Sequence, residues 1–348
     1  MLKKILSGIS VDAILITKPE NIRYLTGFNG GSSYLLVTKK ESFLLSHAIY
    51  GANCQKFTAK LIQLKVGTKA YAEIEKLINM CGIKKVGFES SSIVFDTLEG
   101  LKNDLKNIEF IPLKNTIDNL RMIKNKDEIK NIEIASNIAS KVFVSILDML
   151  RPGMSEQDVA AEIEFKIRKE GGGKDSFDPI VVSGVRSALP HAEPTNKLIS
   201  KNELITIDFG VLYNGYCSDV TRTVVLGKAS PEQNKIFKIV AAAQEKAIAK
   251  VKSGALCADI DTTARDYIEN NGYKDNFIHS TGHGVGLEIH EGPRLGIGSK
   301  DKLSANMTIT IEPGIYVPGF GGVRIEDTLL VTKNSSKILT DVPKVFEL

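Results

Sequence analysis

Along residues 204–226 apolar and polar side chains alternate with a period of two. Ile205, Ile207 and Phe209 interleave with Thr206 and Asp208, and Val220 and Val224 interleave with Asp219, Thr221 and Thr223. That period predicts two strands, each with one apolar and one polar face. Asn214-Gly215 between the runs is the strongest short signal for a two-residue hairpin. With the turn centred there, residue 210 faces residue 219, and Asp208 and Asp219 become diagonal neighbours on the polar face, about 7–8 Å apart at the backbone. A looser hairpin is predicted over 307–332, where Glu312 closes one apolar run before Pro313-Gly314 and Glu326 lies inside the next. Between the two hairpins, the segment HSTGHGVG (279–286) is too rich in glycine for a helix. It reads as a loop or strand whose backbone lets an imidazole approach closely.

Ahead of this region the pattern changes. Strand-like runs at 12–17, 33–38, 61–65, 85–88 and 108–112, together with a helical stretch at 70–80, predict an α/β domain. A charged segment, 114–128, leads into a long helix from about 126 to 150 that Pro152-Gly153 ends. The boundary is placed near residue 118, giving domains 1–118 and 119–348. Ser155 is the N-cap of a further helix, with Asp158 completing a capping box, and the helix runs to the three glycines at 171–173. The remainder is expected to be strands and hairpins, so the second domain should pack helices on one curved antiparallel sheet. The fold class is α+β.

Composition narrows the function. The 348 residues suit two domains, and 43% hydrophobic and 25% charged residues are ordinary for a globular chain. A net charge of +4 without a basic run argues against nucleic acid as a partner. The four cysteines, Cys54, Cys81, Cys217 and Cys257, show neither CxxC spacing nor a disulfide framework and read as reduced thiols. Cys217 falls on the predicted face of Asp219. The two lysines at the start precede an apolar run that Ser7, Ser10 and Asp12 interrupt, and no run reaches the length of a membrane helix. A cytoplasmic protein with no membrane partner is expected.

A single Asp on a hairpin is an ordinary solvated residue, but two on one face repel unless a cation lies between them. Four of the five histidines, His191, His279, His283 and His290, fall in this same half. Carboxylates with one imidazole, Asp208, Asp219, His283, Glu312 and Glu326, make a donor set for divalent metals. Such a set implies hydrolysis rather than redox or structural chemistry.

The blocks IDFG, YCSDVTRT, HSTGHGVGLEIHEGPR, TIEPGIY and GVRIED resemble the signature segments of the pita-bread metallopeptidases, the family of prolidase, aminopeptidase P and methionine aminopeptidase. The resemblance spans roughly 120–348. NIRYLTGFNG, from residue 21, resembles the creatinase-like amino-terminal domain that prolidase and aminopeptidase P carry and methionine aminopeptidase lacks.

Carried over position by position, the resemblance implies two divalent ions per chain, Mn²⁺ or Co²⁺ first and Zn²⁺ or Fe²⁺ next. Asp208 would bind one ion, Asp219 and Glu326 both, and His283 and Glu312 the other. Two cations would acidify a water and polarise the scissile carbonyl. Glu312 would carry the proton to the leaving proline nitrogen. His191 and His290 would hydrogen-bond substrate and stabilise the tetrahedral intermediate, and Arg294 would hold a dipeptide carboxylate. His279 would support the site from behind, and Arg324 would pair with Glu312 or Glu326. Tyr216 and Tyr316 read either as walls of a proline pocket or as packing residues.

The implied activity is cleavage of Xaa-Pro dipeptides by a homodimer. The alternative is an aminopeptidase P acting on longer Xaa-Pro peptides, and beyond that a creatinase-like amidinohydrolase or a non-catalytic peptide-binding protein. One departure concerns the first domain: His47 and Ile49 precede Tyr50 where the family often has an Asp and an Arg. It weakens any cross-subunit role that depends on those charges.

Overall fold

A computed structural model describes residues 5, 6, 8–31, 33–53, 59–65 and 70–348; Cys54 lies outside them. The chain divides into two compact units, Met1–Arg121 and Met122–Leu348.

In the first unit, strands β1 (Ala13–Ile16), β2 (Tyr34–Thr38), β3 (Ser42–His47), β4 (Lys60–Leu64), β5 (Lys85–Glu89) and β6 (Glu109–Leu113) form one sheet in the order β4-β3-β2-β1-β5-β6. Among the described residues it carries the helices α1 (Pro19–Thr26), α2 (Ala70–Met80), α3 (Phe95–Asp104) and the short α4 (Asp118–Arg121). β1 reads AILI because both of its faces are covered. Ile14 and Ile16 join one apolar cluster, and Ala13 and Leu15 join the other. β3 and α1 were not among the predicted elements. The Phe43-Leu44-Leu45 run of β3 is too short for periodicity to assign.

The second unit begins with α5 (Lys126–Met149), capped by Asn125 and Glu128, and α6 (Glu156–Lys169), capped by Ser155 and Asp158 as expected. The strands β7 (Lys174–Asp175), β8 (Ile180–Ser183), β9 (Leu204–Phe209), β10 (Val211–Tyr213), β11 (Tyr216–Cys217) and β12 (Val220–Val225) follow. Next come α7 (Pro231–Lys250) and α8 (Cys257–Asn270), and then β13 (Gly282–Gly284), β14 (Glu291–Leu295), β15 (Thr308–Ile311), β16 (Gly314–Val317), β17 (Gly321–Arg324), β18 (Asp327–Val331) and β19 (Ser336–Ile338).

The helices α7 and α8 correct the expectation of strands beyond the three glycines. The start of α7 carries a signal, since Ser230 and Gln233 form a capping box around Pro231, whereas α8 follows Leu256 without a side-chain cap. On α7 the small Ala243 and Ala247 are interleaved with Ile236, Ile239 and Val240, which thins the apolar stripe along the sequence.

Two apolar layers hold the strands. Ile205, Ile207, Phe209, Val220 and Val224, the predicted apolar face, pack on Ile138, Phe143 and Ile163 of α5 and α6. Ile309, Ile311 and Leu329 pack on Ile236, Ala243 and Ile260 of α7 and α8. Burying each large side chain contributes about 1.5–3 kcal/mol, so the polar faces of both hairpins are held firmly.

Both hairpins are broken midway, and both keep their register through the break. β9 pairs Asp208 with Thr221, and beyond Gly210 the ladder resumes with Leu212 opposite Cys217. At Gly210 a Cβ would sit 1.8 Å from the Ser218 carbonyl oxygen, so only glycine permits that bend. The second hairpin pairs Ile311 with Asp327 and resumes with Gly314 opposite Arg324. Glu326 therefore lies in the gap between β17 and β18 rather than inside a strand. The Glu326 N–H donates to the Thr221 carbonyl at 3.0 Å, joining the two hairpins. No helix among the described residues is long and apolar enough to cross a membrane.

Candidate metal centre

The breaks in the two hairpins and strand β13 open onto one cavity of about 450 Å³, lined by His191, Asp208, Asp219, His279, His283, His290, Arg294, Glu312, Arg324 and Glu326. The ten residues given metal, catalytic, substrate or supporting roles from the sequence all line it. Phe177, Ile180, Pro190 and Ile289 supply apolar wall. No sequence pattern marked these four, because each is an ordinary apolar residue until the fold turns it toward the cavity.

Asp208 and Asp219 reach the site as the register requires, on the face opposite the α5 and α6 layer, and both are buried. Gly282 and Gly284 flank His283, and a Cβ at either would lie 2.0 Å from a backbone carbonyl of the neighbouring strand. The glycines thus let β13 press between β14 and β15. The His283 Nδ1–H donates to the Gly284 carbonyl at 3.0 Å, which leaves Nε2 facing the cavity, 3.3 Å from Glu312 Oε1 and 3.6 Å from Asp219 Oδ2. The His290 ring lies edge-on to His283 with centroids 4.4 Å apart. Arg294, opposite His283 on β14, is exposed and donates from Nε to Ser280 Oγ at 2.9 Å.

The electrostatics call for positive charge. Burial, and then the charges of Glu326 and Asp208, push Asp219 well above the usual carboxylate range. Burial and the charges of Glu312 and Asp208 do the same to Glu326. Asp208 is also raised by burial, against the pull of Arg324. Glu312 differs: although burial opposes it, the hydrogen bond and charge of His283 hold it at about 2. Burial opposes protonation of His283, yet the hydrogen bond and charge of Glu312 raise it on balance.

A divalent metal fits these residues. One atom each of Asp219, His283 and Glu326 lies within 4.8 Å of the others. Asp208 Oδ1 and Asp219 Oδ1 are buried with no hydrogen-bond partner, and unpartnered buried oxygens of this kind are costly unless something binds them. Carboxylate oxygens with one imidazole nitrogen are donors suited to Mn²⁺, Co²⁺, Fe²⁺ or Zn²⁺.

The supporting residues differ from expectation. Arg324 pairs with neither Glu312 nor Glu326; its Nη2 donates to Asp208 Oδ2 at 2.6 Å and its Nη1 to the Tyr316 hydroxyl at 2.8 Å. Strand β17 runs beside β9, so its arginine reaches the first hairpin's acid rather than those of its own hairpin. His279 donates from Nδ1 to the Ser280 carbonyl at 2.8 Å and accepts the Tyr316 hydroxyl at Nε2, 2.9 Å away. Burial keeps this ring neutral. The order His279, Tyr316, Arg324, Asp208 is one hydrogen-bonded chain behind the site. Tyr316 is therefore neither pocket wall nor simple packing, and Tyr216 donates to Glu128 away from the cavity.

Two hydroxyls went unmarked in the sequence. Thr221 donates to Glu326 Oε2 at 2.7 Å, and Thr310 donates to Glu312 Oε1 at 3.1 Å while accepting the His283 N–H. Strand alternation from Asp219 and Glu312 is the signal that places both. Cys217 is buried, its thiol pushed up to about 12 by burial and nearby acids, so it stays protonated.

Comparison with known proteins finds a family match for each unit. Residues 130–333 match metallopeptidase family M24, and residues 1–123 match the creatinase/prolidase N-terminal domain. An Xaa-Pro dipeptidase of Pyrococcus horikoshii is 40% identical over 333 residues, covering 95% of this chain and 93% of that protein. The structure of an Xaa-Pro dipeptidase from Bacillus anthracis superposes with a TM-score of 0.95 at 37% identity, covering 100% of this chain and 99% of the other. An X-Pro aminopeptidase from Thermotoga maritima superposes at 0.92 with 33% identity, covering 99% and 100%.

Proposed function

The chain belongs to metallopeptidase family M24, and from that premise we propose that it hydrolyses the Xaa-Pro bond of dipeptides. The observation that carries this reading is Arg294 on the rim of the acidic cavity. A guanidinium fork there suits a free carboxylate one residue beyond the scissile bond. Aminopeptidase P activity on longer peptides is the second reading, favoured by the similarity to the Thermotoga enzyme.

In this reading Asp208, Asp219, His283, Glu312 and Glu326 hold two divalent ions, Mn²⁺ or Co²⁺ by preference. When bound, such ions supply Lewis acidity and an acidified water. The chain's own groups do the rest. Phe177, Ile180 and Ile289 exclude water and take the proline ring. His191 and His290 donate N–H to the substrate carbonyl oxygen as it gains charge. Glu312 Oε2, which neither His283 nor Thr310 occupies, takes a proton and returns it to the proline nitrogen. Arg324, through Asp208, keeps that side of the cavity in place.

The same reading makes the protein a cytoplasmic homodimer. Among the described residues Cys81, Cys217 and Cys257 are free thiols, which supports a reducing compartment.

The test is hydrolysis of Ala-Pro and Ala-Pro-Ala-Ala by apoprotein reloaded with Mn²⁺ or Co²⁺. Cleavage confined to the dipeptide is the expected result. Cleavage of the longer peptide moves the assignment to aminopeptidase P, and silence on both with full metal content rejects peptidase activity.

A further inference from the structure

His191 stands on a connection of some twenty residues between β8 and β9 whose one regular element is a short 3-10 turn, Gly184–Ala188. Connections longer than about 12–15 residues are uncommon in compact domains and need something to hold them. Here the first turn of α6 does so. Glu156, at the first position of that helix, is fully buried, and its carboxylate grips the loop on both sides of His191.

At the near end Oε1 accepts the Ser183 N–H at 2.8 Å and the Ser183 hydroxyl at 3.0 Å. Beyond His191, Oε2 accepts the Thr195 N–H at 3.1 Å and the Thr195 hydroxyl at 2.8 Å. Arg186 Nε donates to the same carboxylate, 3.1 Å from Oε2, and its Nη2 donates to the Glu193 carbonyl at 2.7 Å, two residues past His191. The backbone joins in, with the Glu156 N–H donating to the Lys197 carbonyl and the Gln157 N–H to the Thr195 carbonyl, both at 3.1 Å.

A buried carboxylate is tolerated only when its lone pairs are satisfied. Every donor that satisfies this one belongs to the segment 183–195. A negative group at a helix N-terminus is favoured as well, so the anchor is strong without touching the cavity; Glu156 is not among its lining residues. Pro190 and His191, at the middle of the clasped segment, are.

We infer that Glu156 is a positioning residue that holds His191 at the substrate carbonyl. The inference rests on the role of His191 proposed above.

The test is a double-mutant cycle on the Mn²⁺-loaded full chain with Ala-Pro as substrate, read alongside amide hydrogen exchange. Glu156→Gln keeps the shape but loses the charge that gathers these donors. We expect kcat to fall about 10-fold, within the scale of a misplaced catalytic group, with KM and metal content retained. Amides of 183–195 should exchange faster while those of α5 do not. Glu156→Gln added to His191→Ala should cost nothing further, because there is no imidazole left to misplace.

Independent, multiplying losses in the double variant, or unchanged exchange in the loop, would overturn the inference while leaving the peptidase reading intact. Wild-type turnover by His191→Ala alone would instead remove the proposed role of His191 and this inference with it. Thr195→Val, which deletes one hydroxyl from the clasp, repeats the cycle should Glu156→Gln not fold. Its smaller loss must likewise vanish in the His191→Ala background.

Discussion

Glu326 and Asp327 are neighbours in sequence, both buried, and they belong to opposite kinds of charged cluster. Asp327 is saturated: Oδ1 accepts Arg222 Nη2 at 2.7 Å and the Thr340 hydroxyl at 3.0 Å, and Oδ2 accepts Gln244 Nε2 at 2.9 Å. Glu326 faces Asp208, Asp219 and Glu312, and its carboxylate accepts the Thr221 hydroxyl. The Arg222 guanidinium ties the two residues together, donating also to the Glu326 carbonyl. A buried acid whose charge is answered by the chain itself is structural. One whose charge is left unanswered by the chain is a site waiting for a cation.

The largest effect should come from emptying the unanswered cluster. Asp219→Asn is expected to lower kcat/KM by more than about 10³-fold, the scale of losing a central electrostatic group, with reduced metal content. The same substitution should raise the melting temperature of the apoprotein, because it removes one of several repelling charges. Near wild-type turnover with full metal occupancy would break the comparison.

Next in size is the answered cluster. Arg222→Met leaves Asp327 buried without its cation and should destabilise the second unit by about 3–5 kcal/mol, read as a lower urea midpoint. A change below 1 kcal/mol would place this pair among ordinary surface contacts.

A third variant sharpens the boundary between the two kinds of charge. Arg294 is exposed and held by one hydroxyl, so Arg294→Met should leave stability unchanged. It should raise KM for Ala-Pro about 10-fold, the scale of one lost charged contact, with kcat retained. An unchanged KM would detach Arg294 from carboxylate recognition.

The smallest effect belongs to Asp12 in the first unit, half exposed, which accepts the N–H groups of Lys84 and Lys85 at 3.0 Å each. Those bonds hold it below its ordinary value of 3.8. A depressed folded value means that its stabilisation is present above 3.8 and lost as pH falls through the lower folded value. The melting-temperature gap between the wild type and Asp12→Asn should therefore shrink on acidification from about pH 5 to pH 2, and solvent screening keeps it small throughout. A gap independent of pH would show that geometry alone is at work.

Local chemistry was legible wherever one element sufficed to express it. Alternation about Asn214-Gly215 placed Asp208 diagonal to Asp219, as the Asp208–Thr221 pairing shows. The capping residues placed α6, and the Ala70–Met80 helix was read to the residue. Where several elements had to combine, the reading faltered. Ala243 and Ala247 thin the apolar stripe of α7, α8 starts without a side-chain cap, and the break that frees Glu326 from its strand has no signature beyond Pro313 and the glycines.

What the sequence by itself determined is which acids and histidines are available, their order along the chain and the face each strand presents, since these follow from side-chain type and the two-residue period. The tertiary structure alone decided which charges answer one another. Arg324 crosses to Asp208, Arg222 turns to Asp327, and Glu156 grips a loop from a different helix. Partnership at 3 Å depends on how separate elements pack, and side chains far apart in sequence carry no local record of that packing.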